Sequence, residues 1–426
     1  MTAGGEIADV GTFKEVRARR GAVEAGRLEI HDHGNVALIP ALVNAHTHLE
    51  LTGMKGVVPL PQPGFPAWLG ALMPVRAALS PEAQVEAALD GERQLVESGV
   101  SLCGDITNGA LLGSRGEGAL SGTRGDALPK AGKEPVFHES RGGGLLRRKT
   151  FLEILGFNRG DVAEALGPEL WAALGVASAG DPDLGLAAHS CYSVSAPAIV
   201  SAKEWGRRNG RGVSIHVAEH PEEVRFLATG DGFCRELLQS LGRWEERWMP
   251  PRTTPVGYLD RLGALDENTL LVHAVHLTEA DWEIVAARGC GVCFCPRSNR
   301  NTGVGRAAIG EAARLGIRIS LGTDSLASNT DLDLFSEAAY VLDGYPDLRA
   351  RDVLGMITLG GARVLGLGAR YGSLGAGRAA ALLAVDLPGA APVRSLEEAI
   401  VYQGAKGAWR WAVRHRTNCG WEESGS

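Results

Sequence analysis

A chain of 426 residues is too long for one minimal domain and suits a large α/β unit with a small accessory one. A formal net charge of −7 and 45% hydrophobic residues fit a globular protein with a large core, and they argue against a nucleic-acid partner, which needs clustered Lys and Arg. No run of about 18 apolar residues occurs and MTAGGEIADV is no signal peptide, so neither a membrane nor export is expected.

Along the chain, residues 1–35 (GGEIADVG, RLEIHDHGN) read as short strands and turns. Short apolar segments then alternate with amphipathic ones, as parallel strands and covering helices do. The strands are NVALIPALVNAH ending at His46, GVSLCGDI ending at Ile106, KTFLEILG, GLAAH ending at His189, GVSIH ending at His216, TLLVH ending at His273, GCGVCFC ending at Cys295 and IRISLGTD ending at Asp324. PEAQVEAALDGERQLVES, APAIVSAKEWGRRN and TEADWEIVAAR are helices between them. Eight strands predict a (β/α)₈ barrel over residues 36–370, with residues 1–35 and 371–426 forming a small β accessory domain. The Gly-rich stretch from Asn108 to Lys149 reads as a long loop, its basic run Arg147, Arg148, Lys149 as solvated surface, and the tail RWAVRHRTNC as unlike a strand. Seven scattered cysteines, Cys293 and Cys295 among them, read as reduced packing thiols of a cytoplasmic protein.

Barrel enzymes carry their chemistry at the C-terminal ends of strands, and five of these strand ends are His or Asp. His46 and His48, two apart on a strand, face the same way and can reach one ion. His216 supplies a third neutral donor and Asp324 a carboxylate. Either alone reads equally well as a core histidine or a turn cap. The four together, with an open position, suit one catalytic divalent ion, Zn²⁺ first and Fe²⁺ as the alternative. Such an ion lowers the pKa of bound water toward about 7. Glu219, three residues past His216, is placed as proton carrier. His273 is placed to hold the attacking water or the developing oxyanion, and His189 to bind a substrate heteroatom. Glu50 is a candidate for a ribose hydroxyl or ring nitrogen, Arg297 for a substrate carboxylate and Trp68 for a cover over the pocket. Each of these last three reads equally as a supporting residue.

The segments NAHTHLEL, AAHSCYSVSAP, SIHVAEHPEEV, LLVHAVHL, CPRSN and GTDSLASN resemble the amidohydrolase superfamily, and within it the cytosine deaminase and chlorohydrolase-like aminohydrolases. The resemblance covers about residues 36–370. It implies a mononuclear site, because GLAAH lacks the bridging lysine of binuclear members. It also implies hydrolytic deamination of a ring amidine, with Glu219 passing a proton from water to the ring nitrogen beside the amino-bearing carbon. HTHLEL with PRSN is similar to the subgroup holding the 6-amino-6-deoxyfutalosine deaminases of menaquinone biosynthesis. The expected partner is therefore a small adenine-like nucleoside, and self-association stays open. The alternatives are deamination of S-adenosylhomocysteine, methylthioadenosine or guanine, chlorohydrolase chemistry, and a non-catalytic binding protein.

Overall fold

Two sheets organise the chain, one parallel and one antiparallel, in a computed structural model that describes residues 2, 5–25, 29–109, 146–388 and 394–414. The parallel sheet has eight strands in sequence order: β2 (Leu42–Thr47), β3 (Val100–Thr107), β4 (Arg147–Ile154), β5 (Leu184–Ser190), β6 (Val213–Val217), β7 (Thr269–His273), β8 (Gly291–Phe294) and β9 (Arg318–Leu321). β2 and β9 close the ring through a parallel bridge, Thr47 to Asp324, in which the Asp324 N–H donates to His46 O at 3.1 Å. This is the (β/α)₈ barrel that the eight apolar segments predict.

The three helices expected from the sequence form at Pro81–Glu97, Ala196–Asn209 and Glu279–Arg288. Ser80, Ser195 and Thr278 cap their N-termini, Thr278 in a reciprocal box with Asp281. Each such cap satisfies an orphan N–H and contributes about 1 kcal/mol. Their apolar faces bury Leu95, Ile199 and Trp282 against the strands.

Four readings are corrected. NVALIPALVNAH is two strands: β1 (Val36–Pro40) pairs antiparallel with β10 (Leu382–Asp386), and after Ala41 the chain enters the barrel as β2. Pro40 has no N–H to give a ladder, so a break there is cheap. Second, Phe13–Ala25 is a helix where short strands are expected; at its start the Thr12 N–H donates to Glu15 Oε2 and the Glu15 N–H to Thr12 Oγ1, and Arg19 reaches Asp9 at 2.7 Å. Third, the tail does close the small sheet, as β11 (Trp409–Val413) against β10. Trp411 drives this, buried and donating its indole N–H to Val96 O at 3.1 Å. Fourth, the basic run opens β4: Arg148 is 11% exposed and pairs with Glu92 at 3.1 Å and Asp105 at 3.8 Å. A buried cation is tolerable only with such partners.

Most of the Gly-rich segment, 110–145, lies outside the described residues. Cys293 and Cys295 are buried in the apolar interior of the barrel. Among the described residues no helix is long and apolar enough to cross a membrane.

Candidate active site

The barrel brings His46, His48, His216 and Asp324 to one point. Donor atoms of the three histidines lie within 4.8 Å of one another. His46 Nε2 and His216 Nε2 are 3.3 Å apart, and Asp324 Oδ1 is 3.7 Å from His46 Nε2 and 3.6 Å from His48 Nε2. Two nitrogens each about 2.0–2.1 Å from one tetrahedral cation stand roughly 3.3 Å apart, so the donor set fits such an ion. Burial holds all three imidazoles below their usual pKa, with His46 depressing His48 and His216 further. Neutral imidazoles are the form in which histidine ligates.

The orientation of these donors is built into the backbone. His216 Nδ1 donates to His189 O at 2.8 Å, which fixes its tautomer and leaves Nε2 bare toward the centre. Ser298 and Ser328 donate to Asp324 Oδ2 at 2.6 and 2.8 Å, leaving Oδ1 to face the histidines. Burial opposes a charge on Asp324, but the contact with His46 and the other imidazoles outweighs it and holds the carboxyl well below its usual range. His273 (φ 69°), Asp324 (φ 57°) and Ala218 (φ 47°) sit in the left-handed region. Non-glycine residues there cost of order 1–3 kcal/mol each and cluster at functional sites.

Glu219 and His273 face each other beside this set, Oε1 to Nε2 at 3.7 Å. Burial first, and then Asp324, pushes the Glu219 carboxyl well above its usual range. Its backbone N–H donates to Glu223 Oε2 at 3.2 Å, which anchors the turn after β6. His273 Nδ1 meets Asn299 Oδ1 at 2.9 Å, so Nε2 is the nitrogen left for the site. His189 is pushed down to about 3 by burial and then by Arg76 and Arg243. Its Nδ1 bonds Ser193 at 2.6 Å, and Nε2 is left for the site.

The other three candidates sit differently. Glu50 is buried, and its carboxylate takes Thr107 Oγ1 and the Asn108 N–H (3.1 Å). Arg297, on the short helix Pro296–Thr302, is tied to the segment after β9, with Asp331 at 2.6 and 2.7 Å and Thr330 at 2.7 Å, and to Glu337 at 3.8 Å. Trp68 packs against Phe65 and donates to Ala327 O at 2.9 Å. The sequence reading missed Ser298, Asn299, Ser328 and Glu153. Ser298 and Asn299 sit within CPRSN, while Glu153 is the one carboxylate in the apolar run FLEIL, the signal that a strand residue faces a polar site. Burial raises Glu153 to about 7, opposed by Arg76.

Comparison with known proteins gives the chain's family and fold. Residues 176–408, more than half of the chain, match the amidohydrolase family. Aminodeoxyfutalosine deaminase from Deinococcus radiodurans is 35% identical over 193 residues, 43% of this chain and under half (45%) of that relative. The 5-methylthioadenosine/S-adenosylhomocysteine deaminase from Syntrophobacter fumaroxidans is 28% identical over 96% of this chain and 85% of its own. The crystal structure of Helicobacter pylori aminofutalosine deaminase with methylthio-coformycin superposes with a TM-score of 0.73 at 20% identity, covering 96% of this chain and 91% of that one, a likeness of fold. With a family match over more than half its length and a histidine-rich centre at the barrel mouth, this chain belongs to the amidohydrolase family.

Proposed function

We propose that the chain is a metal-dependent aminohydrolase that removes the amino group from an adenine-like nucleoside, with 6-amino-6-deoxyfutalosine as the candidate substrate. The observation that carries the reading is Glu219: a buried carboxyl with a raised proton affinity, 3.7 Å from His273 and beside a three-histidine, one-aspartate donor set. His46, His48, His216 and Asp324 would hold the ion, Zn²⁺ by donor chemistry with Fe²⁺ second. When bound, the ion acidifies water and so supplies a nucleophile at neutral pH.

The protein residues do the rest. Glu219 delivers its proton to the ring nitrogen beside the amino-bearing carbon, which makes that carbon electrophilic, and regains a proton from the attacking water. His273, with Nδ1 committed to Asn299, offers Nε2 as acceptor to that water. Asp324, with Oδ2 tied to two serines, turns Oδ1 to the ion-binding point, where the second lone pair of that oxygen can take a proton from the water and relay it toward the departing ammonia. His189 offers its remaining nitrogen to the ring. Acid–base help of this kind contributes on the order of 10²–10⁴ in rate.

The second reading is deamination of methylthioadenosine or S-adenosylhomocysteine, favoured by the relative that aligns over nearly the whole chain. Ammonia release by the metal-loaded protein from aminodeoxyfutalosine, methylthioadenosine, S-adenosylhomocysteine and adenosine, with guanine and cytosine beside them, tests both. Turnover of the first alone supports the leading reading and turnover of the second pair the alternative. No ammonia from any adenine nucleoside refutes both.

A further inference from the structure

The reaction as proposed uses groups at the ends of β2, β5, β6 and β7 and the residue past β9. Glu153, near the end of β4, lies outside that set. It is 6% exposed, and its Oε1 is buried with no hydrogen-bond partner among the described residues, while the Asn108 side chain lies close enough to the carboxyl to lower its proton affinity. Its Oε2 faces Arg76 Nη2 at 4.0 Å, from the helix Phe65–Ala77. Donor atoms of Glu153, His189 and His216 lie within 4.8 Å of one another, so the carboxyl sits beside the ring-binding histidine at the same end of the barrel. A buried acceptor without a donor carries a desolvation penalty that a ligand hydroxyl or N–H relieves.

The order of strands around the barrel says which part of a ligand meets it. Going round, Glu153 (β4), His189 (β5), His216 (β6) and His273 (β7) follow one another, with Glu219 on the turn after β6. The proton carrier and His273 thus lie on one side of His216, and His189 and Glu153 on the other. In an adenine nucleoside the amino-bearing carbon and the sugar are attached at opposite sides of the purine. With that carbon toward Glu219 and His273, the sugar falls on the β4 side.

We propose that Glu153 is a substrate-binding residue that accepts a ribose hydroxyl of the nucleoside through Oε1, with Arg76 holding the other oxygen. The inference rests on the nucleoside reading above. A site built around a hydroxyl donor rejects an analogue that lacks it, because the buried acceptor is then left unpaired. Wild type is therefore expected to favour an adenine ribonucleoside over its 2′,3′-dideoxy counterpart by at least about tenfold in kcat/KM.

The experiment compares wild type, Glu153→Leu and Glu153→Gln on both nucleosides, with metal content and folding recorded for each. Glu153→Leu should reduce the preference to within about twofold, through a rise in KM for the ribonucleoside with kcat little changed. Glu153→Gln keeps the shape and should reduce the preference at least threefold, which decides the matter should the leucine variant not fold. An unchanged preference overturns the assignment. So does a loss of bound metal in the glutamine variant, which would make Glu153 a ligand. A wild type that turns over no nucleoside overturns the functional reading together with this one.

Discussion

Replacing Ser298 by alanine isolates the support of the carboxylate in the proposed metal site. The hydroxyl donates to Asp324 Oδ2 at 2.6 Å, and Ser328 donates to the same oxygen at 2.8 Å. A hydrogen bond to a charged group contributes about 1.5–3 kcal/mol. At 1.4 kcal/mol per factor of ten, that is roughly 10- to 100-fold in any equilibrium that needs the carboxylate ionised and oriented. Losses of this size are typical for groups that orient a metal ligand. Ser298→Ala should therefore weaken Zn²⁺ affinity about 10- to 100-fold in a competitive chelator titration. The folding midpoint of the metal-free protein should move little, since Ser328 still satisfies the oxygen. Wild-type affinity in the variant would refute the claim that Asp324 is aimed by its serines. A large fall in metal-free stability with unchanged affinity would make Ser298 a packing residue.

Three further outcomes are expected. Glu219→Gln and Asp324→Asn should each lower turnover by at least about 10² while circular dichroism and melting stay close to wild type; normal turnover in either removes its assigned role. Gly322→Ala should be harmful although only one methyl is added. Its Cβ would meet His46 O at 2.7 Å, Cys293 Sγ at 2.9 Å and His46 Cβ at 2.9 Å. The cost should be about 1–3 kcal/mol in chemical denaturation, together with weaker metal binding, and unaltered binding would mean that His46 tolerates displacement. Glu337 is raised from 4.5 to about 8 by burial, against the pull of Arg297. The folded state therefore keeps a proton that the unfolded chain releases, so this group favours folding below about 4.5 and its contribution is lost as pH climbs to about 8. Glu337→Gln should gain on wild type by up to about 1.4 kcal/mol per pH unit in that interval, and a gap between the two that stays constant with pH contradicts it.

The barrel was legible because its strands are short, apolar and end in histidine or aspartate, two signals that point to the same residues. His46, His48, His216 and Asp324 could be placed from that alone. The polar groups that orient them could not, since Ser298, Asn299 and Ser328 look like ordinary loop residues until folding brings them to Asp324 and His273. Charge misled the reading twice. Arg148 passes for surface because its partners Glu92 and Asp105 are more than forty residues away, and Glu153 passes for a strand residue without a task. The small sheet was hardest, because β1 lies hundreds of residues before β10 and β11 and only pairing gives Trp411 a reason to be buried.

The hinge at Ala41 links the termini to the chemistry. One residue separates a strand held by β10 from the strand that carries His46, and the Ala41 N–H is itself fastened to Ala381 O at 2.9 Å. The stave that presents two imidazoles is thus clamped at its foot by the C-terminal region and at its head by the Asp324 bridge. Trimming the tail back past Leu382 would loosen that clamp far from the mouth of the barrel, and grip on the cation should slacken before the barrel itself melts.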